Sequence, residues 1–240
     1  MVIFFTGCAA SHRQRVPLRY DATNPLKRVA MLPMRNDTND VDGPIVVRKK
    51  MVQALANKAY AIKDPQETDQ ILRDRMGITL GGQLDLTTAR ELGETLGVEG
   101  VLYGTLLDFN EITTGAYNVR KVRATFKLVN TLIGETVWQQ GLGVRSEMIM
   151  EGKTGAAATV VGRAVDARDK DVPWITLKPI TTGTKNFGES LAVGLVTKLT
   201  VVAVGLHLDR EASELAGRVT HNLRWGPGFT AAPMPSRLLR

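Results

Sequence analysis

Val119-Arg120-Lys121-Val122-Arg123-Ala124-Thr125-Phe126-Lys127-Leu128-Val129 alternates from one residue to the next. Val122, Ala124, Phe126 and Leu128 fall on one side, and Lys121, Arg123, Thr125 and Lys127 on the other. Successive side chains of a strand point to opposite faces, so the pattern predicts a strand packed on one face and open to solvent on the other. Asn130-Thr131-Leu132-Ile133-Gly134-Glu135 follows as a turn, and Thr136 to Val144 returns with Trp138 as its anchor. Just upstream, Val98 to Phe109 reads as a buried strand that includes Tyr103. Residues 98–144 are therefore expected to form an antiparallel meander.

The N-terminal side supplies the helices. Arg28-Val29-Ala30-Met31-Leu32-Pro33 is a short apolar strand that runs into Met34-Arg35-Asn36-Asp37-Thr38-Asn39-Asp40, a loop rich in turn formers. Asp42-Gly43-Pro44 opens a helix, with Pro44 suited to its first turn and Val47, Met51, Ala54, Leu55 and Ala59 at helical spacing. Tyr60-Ala61-Ile62-Lys63 is a second short strand. Asp64-Pro65-Gln66-Glu67 combines an N-cap, a first-turn proline and a capping-box acid, and its helix ends near Gly77. Thr88-Ala89-Arg90-Glu91 is a second capping box, with Ala89, Leu92 and Leu96 on one face and Gly97 as the stop. A β-α-β-α-α start followed by a meander is an α/β arrangement, a mixed sheet with flanking helices.

Downstream, Thr154 to Arg168 reads as a helix and Asp169 to Asn186 as a loop containing Pro173-Trp174 and Pro179. Leu191 to Leu208 is strongly apolar but carries Lys198 mid-run. It is expected as a core helix, with a subunit-facing or membrane-facing segment as the second reading, because Gly194 and Gly205 allow close approach. A helix from Asp209 to Leu223 follows, and Trp225-Gly226-Pro227-Gly228-Phe229 ends regular structure.

Chemistry-bearing residues are scattered. His12, His207 and His221 have no metal-ligand spacing, and the single cysteine has no histidine partner that would make a nucleophile and base. No phosphate-binding or nucleophile-elbow motif occurs. Asp108 and Glu111 stand close together at a strand end, where two acids could face one another but are ordinarily solvated. No catalytic residue, metal site or cofactor is expected. The 240 residues carry a net charge of +7, yet aromatic residues are only 5%, which provides no stacking platform for single-stranded nucleic acid. The basic balance fits anionic lipid or simple solubility. Two exposed polar regions are candidates for partner binding: Asn36, Asp37 and Asn39 on the first loop, and the stripe of Lys121, Arg123 and Lys127.

The only cysteine, Cys8, stands in Phe5-Thr6-Gly7-Cys8-Ala9. An apolar run, small residues and then Cys resembles the end of a bacterial lipoprotein signal. Val2 to Phe5 supplies four apolar residues, where a full signal core has roughly 7–15. The resemblance implies diacylglycerol on the Cys8 thiol, cleavage before it and acylation of the new N-terminus, which palmitate labelling would report. Ala9 in place of an aspartate implies sorting to the outer membrane. Residues 9–25, basic and broken by Pro17 and Pro25, read as a tether, with order beginning at Lys27.

Three stretches together resemble the CsgG/LpoB-type envelope lipoprotein family and its uncharacterised lipoprotein relatives. They are Val29 to Thr38, a strand ending in Leu-Pro before an Asn-containing turn; Ala89 to Thr105, a helix that meets a strand ending in Gly-Thr; and Ala124 to Trp138, which matches an L-V-[DN]-x-x-x-G-E-x-x-W hairpin. The resemblance implies a mixed sheet like the N-terminal domain of TolB, with an antiparallel meander, flanking helices and additional C-terminal helices. The expected division is residues 1–7 as residual signal peptide, 8–26 as lipidated tether, 27–145 as the α/β domain, 146–229 as a mainly helical extension and 230–240 as a loose tail. The implied function is that of a non-enzymatic, outer-membrane-anchored periplasmic lipoprotein. It would be an accessory or assembly component of a cell-envelope complex that binds another envelope protein. The alternative is a CsgG-like secretion channel built as a homo-oligomer. Glu111 to Tyr117, where a membrane hairpin would be inserted, is short for that purpose.

Overall fold

The computed structural model describes residues 19–113, 117–150, 171–177, 180–182 and 208–228. Among them, eight strands form one mixed sheet. Three are long: β4 (Gly100–Thr113), β5 (Tyr117–Asn130) and β6 (Thr136–Met150), paired antiparallel as the expected meander. Strand β1 (Arg28–Met31) runs parallel to β4 and carries β3 (Ala61–Ile62) on its other edge. Past β1, the two-residue β2 (Arg35–Asn36) continues the pairing with β4. The opposite edge repeats the device, with β7 (Trp174–Thr176) and then β8 (Ile180–Thr182) parallel to β6.

Local sequence sets the helices as expected. At the start of α1 (Gly43–Asn57) the N-H groups of Asp42 and Gly43 donate to Asp40 Oδ1 at 3.0 and 2.6 Å. In α2 (Pro65–Met76) Asp64 Oδ1 accepts from the N-H of Gln66 and of Glu67, both at 2.9 Å. In α3 (Ala89–Leu96) the Glu91 carboxylate accepts from Thr88 N at 2.9 Å while Thr88 Oγ1 accepts from Glu91 N at 3.3 Å, a reciprocal capping box. The left-handed Gly97 (φ 66°) turns the chain out of α3 and into β4.

Helices cover both faces. Val47, Met51 and Leu55 of α1, with Ala212, Leu215 and Val219 of α4 (Asp209–Val219), pack on Leu102, Leu106, Val122, Ala124, Phe126 and Leu128. On the other face Leu72 of α2, Leu92 and Leu96 of α3 and Leu84 of a 3-10 turn (Gly81–Leu86) cover Ala30, Leu32, Val101 and Val129. Arg48 ties the two layers together. Its guanidinium donates to both Asp69 carboxylate oxygens, at 2.6 and 2.7 Å, and to the Met31 carbonyl.

Four features differ from the sequence reading. Arg35–Asn36 is a strand, not a loop, because Leu32 N and Asp37 N also bond β4 carbonyls and keep the chain alongside it. Strands β7 and β8 occupy part of the stretch expected to be a loop. Asn24 and Leu26 are buried, so packed structure begins before Lys27. Asp108 and Glu111 do not face one another: they pair in register with Arg123 and Arg120, three residues apart on β5 and hence on opposite sheet faces. The expected helix Thr154–Arg168, the apolar segment before Leu208 and Cys8 lie outside the described residues.

Candidate interaction surfaces

The loop after β2 is exposed and held in one shape. Asn36 Oδ1 accepts from Thr38 N at 3.1 Å and Thr38 Oγ1 at 2.7 Å, and Asn36 Nδ2 donates to the Asp40 carbonyl at 2.8 Å. Arg35 Nε donates to Asp37 at 3.0 Å and its Nη1 reaches Asp85 at 3.4 Å, linking the loop to the 3-10 turn. Asn36, Asp37 and Asn39 are all exposed. A loop braced by its own side chains offers polar groups to a partner at little ordering cost.

The basic stripe on β5 is not the solvated face that alternation predicts. Lys127 is exposed, its ammonium 5.0 Å from the Tyr103 ring centroid. Lys121 is only 7% exposed. Arg123 is largely covered and donates to Asp108 Oδ2 at 2.5 Å. The cover is Trp174, whose ring lies 5.2 Å from the Arg123 guanidinium and 5.7 Å from the Lys121 ammonium. Trp174 pairs with Gly143 on β6, and a Cβ at Gly143 would stand 2.5 Å from the indole. The bare glycine lets the ring fold over the sheet onto the cations. Nearby, Arg145 donates to Thr176 Oγ1 at 2.7 Å and meets the fully buried Glu147 carboxylate at 3.3 Å. On the helix-covered face Ser146 Oγ donates to the buried Glu211 of α4 at 2.6 Å.

The two sets of predicted partner residues do not form one site. Strand order places β2 and its loop on one side of β4 and β5 on the other. Among the described residues no group of three or more His, Cys, Asp or Glu could hold a metal ion. Nor does any described helix have the length and apolarity to cross a membrane.

A third arrangement has no counterpart in the sequence reading. The first and last described segments clasp one another beside β3. Asp21 N donates to the Gly226 carbonyl at 2.8 Å, and Gly226 N to the Lys58 carbonyl at 2.7 Å. Asn24 Nδ2 donates to the Trp225 carbonyl and to Tyr60 Oη, and Tyr60 Oη donates to the Arg224 carbonyl at 2.8 Å. Burial pushes the Tyr60 phenol above its ordinary pKa, which keeps it a donor. Lys58 Nζ donates to the His221 carbonyl and lies 4.6 Å from the Trp225 ring centroid. Arg224 donates to Asp21 and to Thr23. The Arg224 hydrogen bond, then those from Thr23, lower the Asp21 carboxyl to a pKa of about 2. The C-terminal partners lie roughly 160 to 200 residues along the chain from the groups they meet, so no local pattern announces them. The nearest signal was Trp225 beside Gly226-Pro227.

Comparison with known proteins gives this frame a context. The family model "Putative lipoprotein GNA1162-like" matches residues 19–172, which is more than half of the chain. The chain is similar to the lipoprotein GNA1162 from Neisseria meningitidis at 19% identity and a TM-score of 0.46, over 59% of this chain and 96% of that one. It is similar to the C-terminal domain of LpoB from Escherichia coli at 18% identity and a TM-score of 0.35, over 48% and 79% respectively. Similarity to the PelC dodecamer from Paraburkholderia phytofirmans is 16% identity with a TM-score of 0.34, over 50% and 73%. No curated protein matches the chain.

Proposed function

This chain belongs to the GNA1162-like lipoprotein family, and from that premise we propose that it is a non-enzymatic accessory or assembly component of a cell-envelope complex. It is anchored through acylated Cys8 on the periplasmic face of the outer membrane. The family match over residues 19–172 carries this reading. Two further observations support it. Cys8 is the only cysteine and follows small residues, as acylation requires. Among the described residues, three of the acidic side chains serve in ion pairs and caps: Asp108 with Arg123, Asp69 with Arg48, and Glu91 with Thr88. The surface offered to another envelope protein is the braced loop Asn36–Asp42, which is exposed and preorganised.

Palmitate labelling of the full-length gene product tests the anchor. Label is expected in the parent and absent from Cys8→Ala; label that persists in the variant sinks the lipoprotein assignment. The accessory role is tested by complementing a deletion strain with an N36A/D37A/N39A variant. It is expected to fold and take up label yet fail to restore the envelope phenotype. Full restoration would move the partner surface elsewhere.

A further inference from the structure

We propose that the end of the sheet formed by the β5–β6 turn and the terminal clasp rests on a bilayer of anionic phospholipid, with Leu132 and Ile133 dipping among the headgroups. The proposal rests on the Cys8 anchor and adds an orientation to it. Pairing of Val29 with Gly100 and of Gly100 with Asn130 puts the start of β1, the start of β4 and the β5–β6 turn at one end of the sheet. The described chain also begins there, at Arg19 and Tyr20. Ten residues, 9–18, separate Cys8 from Arg19, a reach of at most about 40 Å. An acylated Cys8 therefore keeps this end within one domain's width of the membrane.

The chemistry of that end suits the bilayer. Leu132 is 65% exposed and Ile133 58%, with Val137 exposed beside them. The turn is rigid: Asn130 Oδ1 accepts from Leu132 N at 2.9 Å, Thr131 Oγ1 donates to the Val98 carbonyl at 2.8 Å, and Arg90 donates to the Leu132 carbonyl at 3.1 Å. Two large apolar side chains are thus held out in water by a braced turn. Lys27, Arg28 and Arg90 are exposed around the turn, and Arg19 with Tyr20 marks the tether exit. Trp225 and Lys58 stack at the clasp edge. Acids at this end are Asp21 and Glu99, which pair with Arg224 and Arg28, and the exposed Glu94 and Glu135. Basic residues near an anionic leaflet and amphipathic aromatics at its boundary are the usual means of such a contact.

The test uses the full chain as Cys8→Ser, free of acyl groups, floated with vesicles containing phosphatidylglycerol or made of phosphatidylcholine alone. Binding is expected on the anionic vesicles and should fall with added salt. L132S/I133S is expected to lower partitioning roughly tenfold or more. The control is V41S/I45S, an equally exposed apolar pair at the start of α1, which should change it by less than about twofold. No binding by the parent, or equal loss in both pairs, overturns the proposal. In the same strains L132S/I133S with Cys8 intact should still take up palmitate. No vesicle binding by the Cys8→Ser chain while the chain with Cys8 intact takes up label refutes the contact and leaves the anchor standing; labelling absent from the chain with Cys8 intact refutes the anchor instead.

Discussion

The three long strands are built differently at their two ends. At the end near the clasp, Leu102, Phe126 and Leu128 are at most 1% exposed on one face, and Val101 and Val129 are buried on the other. At the far end, adjacent register positions carry Asp108 with Arg123, Glu111 with Arg120, and Arg145 close to Glu147. Lys121, Arg145 and Glu147 are buried there. Apolar burial stabilises a sheet without regard to pairing partner, whereas buried charges recover their desolvation cost only when each meets its counterpart. The near end, apolar on both faces, therefore carries the larger share of stability, whereas at the far end only the helix-covered face, with Phe109, Val122 and Val144, is apolar. The far end specifies register, because a one-residue slip would separate Asp108 from Arg123 and Glu111 from Arg120 and reverse the faces of the strand.

The largest expected effect lies at the near end. Phe126→Ala removes a side chain that is 1% exposed in the centre of the larger core. It should cost about 3–5 kcal/mol, measured by urea unfolding. A loss below about 1 kcal/mol would mean that the helix layer collapses easily into the cavity, and the near end would lose its role as the rigid half. The far end should respond less. Asp108→Ala removes the carboxylate that accepts from Arg123 beneath Trp174, and should cost about 1.5–3 kcal/mol. A neutral or stabilising Asp108→Ala would show that Trp174 and the surrounding groups hold Arg123 without it, and the register role would pass to Glu111 with Arg120.

The same division separates what sequence reveals from what it hides. Helix starts at Asp64-Pro65 and Thr88, and the strand over residues 119–129, follow from interactions between residues at most four apart or from simple alternation. The apolar face of β5 was legible for that reason. Its other face was not. Alternation says which residues share a side, but whether that side is wet depends on what else arrives there. Trp174, about fifty residues away, covers Lys121 and Arg123. The one clue was a pair of glycines, Gly141 and Gly143, inside a strand, which signals close approach from above. The exposed tip of Leu132 and Ile133 was legible as a turn, but its position beside the tether exit required the parallel pairing of β1 with β4.

The smallest effect is expected at the clasp, and it sharpens the comparison because it brings an ionic contact to the apolar end. Asp21 titrates at about 2 against an ordinary value of 3.8, chiefly through its bond from Arg224. A carboxyl with a lowered folded-state pKa contributes fully above pH 3.8 and loses that contribution as pH falls through about 2. Both partners reach the surface, so the effect on global stability should be slight. Locally, the Arg224 Nε-H resonance should keep its shift from neutral pH down to about pH 4 and move toward that of a free arginine between about pH 4 and 2. Asp21→Asn should abolish this step while leaving the Tyr60 bond to the Arg224 carbonyl in place. If the whole domain unfolds in the same window, the clasp is integral to the near-end core. If only the Arg224 resonance moves, the core beneath it stands on apolar packing alone.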